Sequence, residues 1–264
     1  MTRPIITLTT DYGINDHLVG VMKGVILSVN PEVQIVDITH GVLAHDILDG
    51  ALTIGQAYSY FPPKTIHVVV IDPGVGTARR PILVASDQHY FVAPDNGVLS
   101  AVYDQTEALY VWNITSEHYF RNPISNTFHG RDVFAPVAAW LSKSWQTSAF
   151  GDPVTDFARF AIPKPKANGN MIKAIVLRVD NFGNLITNVK AADAPALVAA
   201  DGKFTIRVGS GEVKKVFQTF AQGTPGEAFG VIGSSGYLEI SLNKGNAART
   251  LGAVRGAEVT VELG

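Results

Sequence analysis

The sequence predicts an α/β protein in two parts: a mostly parallel sheet flanked by helices over residues 1–160, then a smaller antiparallel β-barrel over residues 170–264. Three observations predict it. Strand-like and helix-like stretches alternate up to about residue 145, and a β-α-β-α-β order implies parallel strands joined by right-handed crossovers. The texture then changes: Gly151, Pro153, Pro163, Pro165 and Gly169 crowd into one stretch that reads as a linker. Beyond it come short alternating stretches between Gly-rich turns, the pattern of a small barrel or sandwich.

Each element has a local reason. Ile5–Thr10 (IITLTT) is a β-branched strand. From Asp16 to Ser28 the apolar residues Leu18, Val21, Met22, Val25 and Ile26 recur at helical spacing, with Asp16 as the expected cap. Val33–Thr39 is the next strand. Asp46 to Phe61 reads as a helix closed by Pro62 and Pro63. Ile66–Ile71 is nearly all apolar, as a strand covered on both faces should be. Ile82–Ser86 and Tyr90–Val92 suggest a hairpin, Gly97–Tyr103 a short helix and Leu109–Ile114 a strand. Arg131 to Lys143 is helical in pattern, with Pro136 either kinking it or sitting in its first turns. The second part offers strands at Ile172–Val179, Leu185–Val189, Phe204–Val208, Val213–Phe217, Phe229–Ile232, Tyr237–Leu242 and Val259–Glu262.

The totals exclude several classes. A chain of 264 residues, 46% apolar and 17% charged, can build a sizeable core. Its net charge of −2, without a basic stripe, argues against nucleic acid as the main partner. It has no cysteine, which removes disulfides, thiolate metal sites and a Cys nucleophile. The opening residues MTRPIITLTTD lack the apolar stretch of a signal peptide, and no apolar run approaches the roughly 20 residues of a membrane helix. The expectation is a cytoplasmic protein without a membrane or nucleic-acid partner.

Ligands of a parallel α/β sheet collect at the carboxyl ends of its strands. Two acids stand there. Asp11 ends the first strand in TTDYG, and Asp72 ends the third in IDPGVGTARR, each followed by glycines that let the chain turn sharply. One such acid is as easily a helix cap or an Asx turn; two on neighbouring strands favour a site. GVG lacks the third glycine and the following helix of a dinucleotide loop, so that reading is rejected. Arg79 and Arg80 are either solvated loop charges, or the guanidinium seven residues past Asp72, that of Arg79, curls back onto Asp72 and holds it ionised. His129, in NTFHGRD, lies just before a helix. In the second part, DNFGNLITN (180–188) is either a plain hairpin turn or a set of amides suited to a purine edge.

Taken together, TTDYG, IDPGVGTARR, the PDNG of residues 94–97, TFHGRD, DNFGNLITN and SSGYLEI resemble, in order and spacing, the adenosine-forming S-adenosylmethionine (SAM) hydrolases. These are also called SAM hydroxide adenosyltransferases and are related to the SAM-dependent fluorinating and chlorinating enzymes. The resemblance spans roughly residues 5–250. It implies an N-terminal α/β domain and a C-terminal β-barrel, assembled as a homotrimer with sites at subunit interfaces. It implies a catalytic trio of Asp72, Arg79 and His129, and Asp11 holding the two ribose hydroxyls. Asp16, Asp180 and Ser234 match positions near the methionine part, Asn184 one that reads the adenine edge, and Phe220 an aromatic that stacks on the base. Glu239 lies in a matching stretch without an assigned role. No cofactor and no metal are implied: SAM is the substrate.

The chemistry suits these residues. Methionine leaves a sulfonium as a neutral group, so no general acid is required. An oxygen nucleophile in line with the breaking carbon–sulfur bond is required, and a base must draw off its proton; Asp72 or His129 is the candidate. In the halide-using relatives the positions matching Asp72 and His129 are tyrosines and a serine replaces Gly130, so the resemblance implies water rather than halide as the nucleophile here. Two rival readings are a calcium-dependent nucleoside hydrolase, suggested by TTDYGINDH, and a non-catalytic adenosine or SAM sensor.

Overall fold

The computed structural model of the chain describes residues 3–144, 146–199 and 202–264, and it divides into two units, Met1–Ile162 and Pro163–Gly264. The first unit contains, in chain order, β1 (Ile5–Thr10), α1 (Leu18–Val29), β2 (Gln34–Thr39), α2 (Ile47–Ala57), β3 (Ile66–Val70), β4 (Pro81–Ala85), β5 (Tyr90–Pro94), α3 (Ser100–Tyr103) and β6 (Tyr110–Ile114). A π-turn, Gly130–Phe134, then runs directly into α4 (Ala135–Leu141), and β7 (Gly151–Pro153) closes the unit. The strands form one seven-stranded sheet in the order β2-β1-β3-β5-β4-β6-β7. The pairs β1–β2, β1–β3 and β3–β5 are parallel, and the pairs beyond β5 are antiparallel.

The apolar run of β3 has the expected cause. Val68 and Val70 pack with Met22 and Ile26 of α1 and with Val137 and Ala138 of α4. Val69 and the following Ile71 pack on the opposite face with Ile54 of α2 and Val102 of α3. A strand covered on both sides has no polar face to present. The exception is His67, fully buried, whose Nδ1 meets Thr7 Oγ1 at 2.7 Å and whose ring stacks on Phe91.

Two local expectations change. Asp16 does not cap α1: the helix starts at Leu18, His17 holds the cap position without a side-chain bond, and Asp16 stands 69% exposed. The chain turns one residue later than the acid. Asp46 does cap α2, accepting the N–H of Asp49 at 2.9 Å. Pro136 falls in the first turn of α4, and the Asp132 carbonyl that a residue there would face accepts the Arg121 N–H instead.

The second unit contains β8 (Lys166–Asn168), β9 (Met171–Val179), β10 (Leu185–Lys190), β11 (Phe204–Val208), β12 (Gly211–Val213), β13 (Val216–Phe217), β14 (Ala228–Ile232), β15 (Tyr237–Leu242), α5 (Ala247–Leu251) and β16 (Glu258–Leu263). Hydrogen bonding follows the path β12-β11-β16-β9-β10-β15-β14-β13, with β8 on β9. All pairs are antiparallel except β13–β14. The two ends of the path are β12 and β13, and only Lys214 and Lys215 separate them in the chain. Three peptide steps span at most about 11 Å. The sheet must therefore curl until its ends nearly meet, and Gly230 N–H donates to the Lys215 carbonyl at that seam. Val176, Leu185, Ile206, Leu238, Ile240 and Val259 fill the interior of the curl.

The stretch read as a linker is partly ordered. Its start, β7, pairs with β6 and its end, β8, pairs with β9, so each unit gains an edge strand. Gly and Pro are tolerated there because an edge strand has one row of N–H groups outside the ladder. Among the described residues no helix is long and apolar enough to cross a membrane.

Candidate active site

Parallel pairing decides where the first acids stand. Thr10 of β1 lies opposite Val70 of β3, so both strands end side by side, and Asp11 and Asp72 follow one and two residues later. Asp72 and Arg79 are both nearly closed off from solvent, at 5% and 9% side-chain exposure. Arg79 Nε donates to Asp72 Oδ1 at 2.9 Å, and its Nη2 donates to Asp72 Oδ2. The same Nη2 reaches His129 Nδ1 at 2.7 Å. The three residues, from three loops, thus form one hydrogen-bonded group. Arg79 also lies over the Phe134 ring, 5.3 Å from its centroid.

This group fixes a tautomer. A guanidinium only donates, so His129 Nδ1 accepts, the ring is neutral and its proton is on Nε2. Burial, then the Arg79 charge, pushes the His129 pKa below its ordinary value, which favours that neutral form. Asp72 spends one lone pair of each oxygen on Arg79 and keeps the second. Arg79 Nη1 is buried and has no hydrogen-bond partner among the described residues.

Glycines bring the loops together. Gly76 has φ +76°, and a Cβ there would lie 2.2 Å from the Asn126 carbonyl oxygen. That contact seats the Asp72 loop against the loop leading into His129. A Cβ on Gly130 would lie 2.6 Å from the hydroxyl of Tyr12, which is the residue after Asp11. Tyr12 also meets Phe128 edge to face. Its phenol is pushed above its ordinary pKa by burial and then by Asp11 and Asp72, so it stays protonated. The sequence reading passed over Tyr12; a Tyr beside a strand-end acid is too common a pair to signal a role.

The neighbouring charges are structural. Arg80 turns away from Arg79 to clamp Asp95 of PDNG at 2.9 Å and Asp156 at 2.8 Å. Asn96 of the same motif donates to the carbonyl of Ile71, which holds the backbone just before Asp72. Asp132 has no solvent exposure, and Arg131 grips both its oxygens at 2.7 Å while Ser125 N–H donates to it at 2.9 Å. Burial opposes its ionisation, but Arg131 and the Ser125 N–H outweigh that and hold its pKa below the usual range. Asp132 therefore pins the loop ahead of His129. Asp11 Oδ2 accepts the N–H of His45 at 2.8 Å. Asp16 lies 3.9 Å from His17 Nδ1 and is largely exposed.

In the second unit, Asp180 and Asn184 are bonded to each other. Asp180 Oδ1 accepts the N–H groups of Phe182 (2.9 Å) and Asn184 (2.8 Å), and its Oδ2 accepts the Asn184 side-chain amide at 2.7 Å. Gly183, φ +86°, backs onto Asn246, the cap of α5; a Cβ there would lie 2.2 Å from Asn246 Cγ. Phe182, also missed from sequence, stands 75% exposed beside Asn184. Glu239, on β15, is 9% exposed, and its carboxylate lies against Gly233, where a Cβ would fall 1.8 Å from Oε1. Burial, then Asp180, raises its pKa. Ser234 is exposed in the β14–β15 turn, and Phe220 is 46% exposed in a 3-10 turn capped by Thr219. Asn188 serves the backbone, bonding Ile175 and Pro163. Among the described residues no three His, Cys, Asp or Glu side chains are grouped to hold a metal ion.

Comparison with known proteins follows the same division. Residues 6–151 match the family model for the SAM hydroxide adenosyltransferase N-terminal domain, and residues 174–260 match the model for its C-terminal domain. The chain is 36% identical over 269 residues to (R)-S-adenosyl-L-methionine hydrolase of Salinispora tropica, covering 99% of this chain and 98% of that one. It is 26% identical over 296 residues to a fluorinase of an Actinoplanes species, covering 98% and 97%. It resembles the crystal structure of an uncharacterized conserved protein from Thermotoga maritima with a TM-score of 0.91 at 36% identity, covering 97% and 99%.

Proposed function

This chain belongs to the SAM hydroxide adenosyltransferase family, and we propose that it hydrolyses S-adenosyl-L-methionine to adenosine and L-methionine, with a water molecule attacking the ribose 5′ carbon. The observation that carries the mechanism is the single guanidinium of Arg79 gripping both Asp72 and His129. Of the three groups only Asp72 keeps open acceptor lone pairs, so Asp72 takes the proton of the attacking water. His129, a donor at Nε2, holds the water oxygen, and Arg79 fixes both partners so that little reorganisation accompanies attack. Methionine leaves as a neutral group, so the step needs no general acid. A carboxylate lining the pocket also disfavours halide.

Asp11 binds the ribose diol, since a carboxylate can accept from both hydroxyls. Its Oδ1 has no bond to a described residue, while Oδ2 already serves His45. Asn184 meets the adenine edge; Phe220 and the exposed Phe182 offer stacking faces for the base. Asp16, Asp180, Ser234 and Glu239 serve the methionine end, where carboxylates suit an ammonium. No cofactor enters this scheme. The resemblance supports assembly as a homotrimer, which sedimentation at about three times 28.2 kDa would check. A cytoplasmic location is tested by cell fractionation.

The test of the reaction is incubation with SAM in oxygen-18 water. Label in the adenosine 5′-hydroxyl, with methionine in equal amount, is the expected result. Adenine release with stoichiometric calcium on the protein would favour a nucleoside hydrolase instead, and binding without turnover a sensor.

A further inference from the structure

Asn184 carries an amide, and an amide can face a ligand in two ways. With the oxygen towards a 6-amino group and the nitrogen towards a ring nitrogen it matches adenine. Turned over, on the N1 edge it matches a 6-oxo purine, its nitrogen donating to the 6-oxo group and its oxygen accepting the N1–H. The amide oxygen and nitrogen are similar in size, so shape does not choose between the two, but hydrogen bonding does. The Asn184 Nδ2 lies 2.7 Å from Asp180 Oδ2, and a carboxylate oxygen can only accept from it. Turning the amide over would set Asn184 Oδ1 against a negative oxygen at the same distance. The carboxylate cannot turn to relieve this, because its other oxygen is held by two backbone N–H groups, those of Phe182 and Asn184. The loop cannot shift either: Asp180 N–H donates to the Asn184 carbonyl, and Gly183 sits against the cap of α5, with its carbonyl accepting from Ala248.

We infer that Asp180 is the positioning residue for purine choice: it locks the Asn184 amide so that its Oδ1 and second N–H select a 6-amino over a 6-oxo purine. This rests on the reading of Asn184 as the group at the base edge. No bond to a described residue engages Asn184 Oδ1, so the atom is free to accept from a base. A locked acceptor facing a 6-oxo group leaves two acceptors opposed, and a bidentate amide–base contact carries about tenfold to 10²-fold discrimination. Asp180 can also serve the methionine ammonium. That role affects every substrate with the same methionine end equally, so it drops out of a ratio between bases.

The substitution Asp180→Asn isolates the lock. Its Oδ1 still accepts the two backbone N–H groups, which forces an NH2 group into the place of Oδ2. That NH2 group can only donate, so Asn184 must turn its oxygen to it and its nitrogen to the base. The experiment measures kcat/KM for SAM and for its deaminated analogue, which carries hypoxanthine. The parent protein is expected to prefer SAM by about tenfold or more, and Asp180→Asn to lower that preference at least about tenfold, with a gain on the 6-oxo substrate. Asp180→Ser, which keeps one oxygen for the turn and removes the other, is the companion if Asp180→Asn fails to fold; it is expected to bring the two substrates towards parity. Asn184→Ala separates the two levels of the argument. If it leaves kcat/KM for SAM unchanged, Asn184 does not read the base. If it weakens SAM while Asp180→Asn and Asp180→Ser leave the preference unaltered, the base contact stands and the lock is overturned.

Discussion

Replacing Arg79 by Lys is the sharpest probe of the proposed mechanism, because it keeps the charge and removes the geometry. Arg79 makes three bonds from two nitrogens: Nε to Asp72 Oδ1, and Nη2 to both Asp72 Oδ2 and His129 Nδ1. A lysine has one nitrogen. Seated where Nη2 is, it keeps two bonds and loses the third; seated where Nε is, it keeps only one. At least one charge-assisted bond goes, worth about 1.5–3 kcal/mol. The ring contact with Phe134 weakens as well. Each 1.36 kcal/mol lost from the transition state is tenfold in rate, so kcat should fall about 10- to 10²-fold. KM should move little, since Asp11 and Asn184 are untouched. The assay is a saturation curve from chromatographic separation of adenosine and methionine, with circular dichroism verifying the fold. A folded Arg79→Lys protein whose kcat stays within about threefold of the parent would refute the reasoning. Arg79→Ala is the limiting case: it strands the buried Asp72 carboxylate and should also destabilise the unit by about 3–5 kcal/mol.

Other outcomes follow from the same contacts. Arg80→Ala should leave kcat within a few-fold, since Arg80 meets Asp95 and Asp156 and not Asp72; thermal melting should register a loss of about 1–3 kcal/mol from the stranded Asp95, only 4% exposed. Gly130→Ala drives a methyl into the Tyr12 hydroxyl and should cost about 1–3 kcal/mol. Adding Tyr12→Phe should recover part of that loss, and strictly additive melting data would exclude the clash as its cause. Burial pushes the His67 pKa down to about 3, so the folded protein keeps the ring neutral where the unfolded chain protonates it. The native state then binds fewer protons than the unfolded one between about pH 6.5 and 3, and stability falls with falling pH across that window, by up to about 1.36 kcal/mol per unit per such group. His89 and His129 shift in the same direction and add to the slope. Urea midpoints at pH 7, 6 and 5 measure it; a flat profile would mean that the buried histidines are reached by solvent.

Some of this was legible from residues alone. The apolar run at 66–71 announced a strand covered on both faces, and the acids after it and after the first strand announced a ligand end, because strand burial and sheet polarity are written in local pattern. Asp72, Arg79 and His129 drew attention as chemistry-bearing types in Gly-containing loops. The resemblance singled out Arg79 as the partner of Asp72, but the partner of Arg80 was not legible: the two arginines are adjacent and chemically identical, and only the direction each side chain leaves the loop gives one to Asp72 and the other to Asp95. The expected cap at Asp16 failed for a similar reason. A capping residue must reach an N–H two or three residues on, and the turn before Leu18 points Asp16 outward.

The sequence by itself foretold two units, a parallel beginning, an antiparallel end, and acids at the ligand end of the first sheet; its resemblance to a known family supplied the sulfonium substrate. Only the tertiary structure decided the protonation pattern of His129, the division of labour between the two arginines, and the way Asp180 orients Asn184. The physical reason is direction. Composition and spacing record which groups a chain carries, but a hydrogen bond depends on where a donor points. That is set by contacts such as Gly76 on Asn126 and Gly130 beneath Tyr12, between residues 50 or more positions apart in the chain.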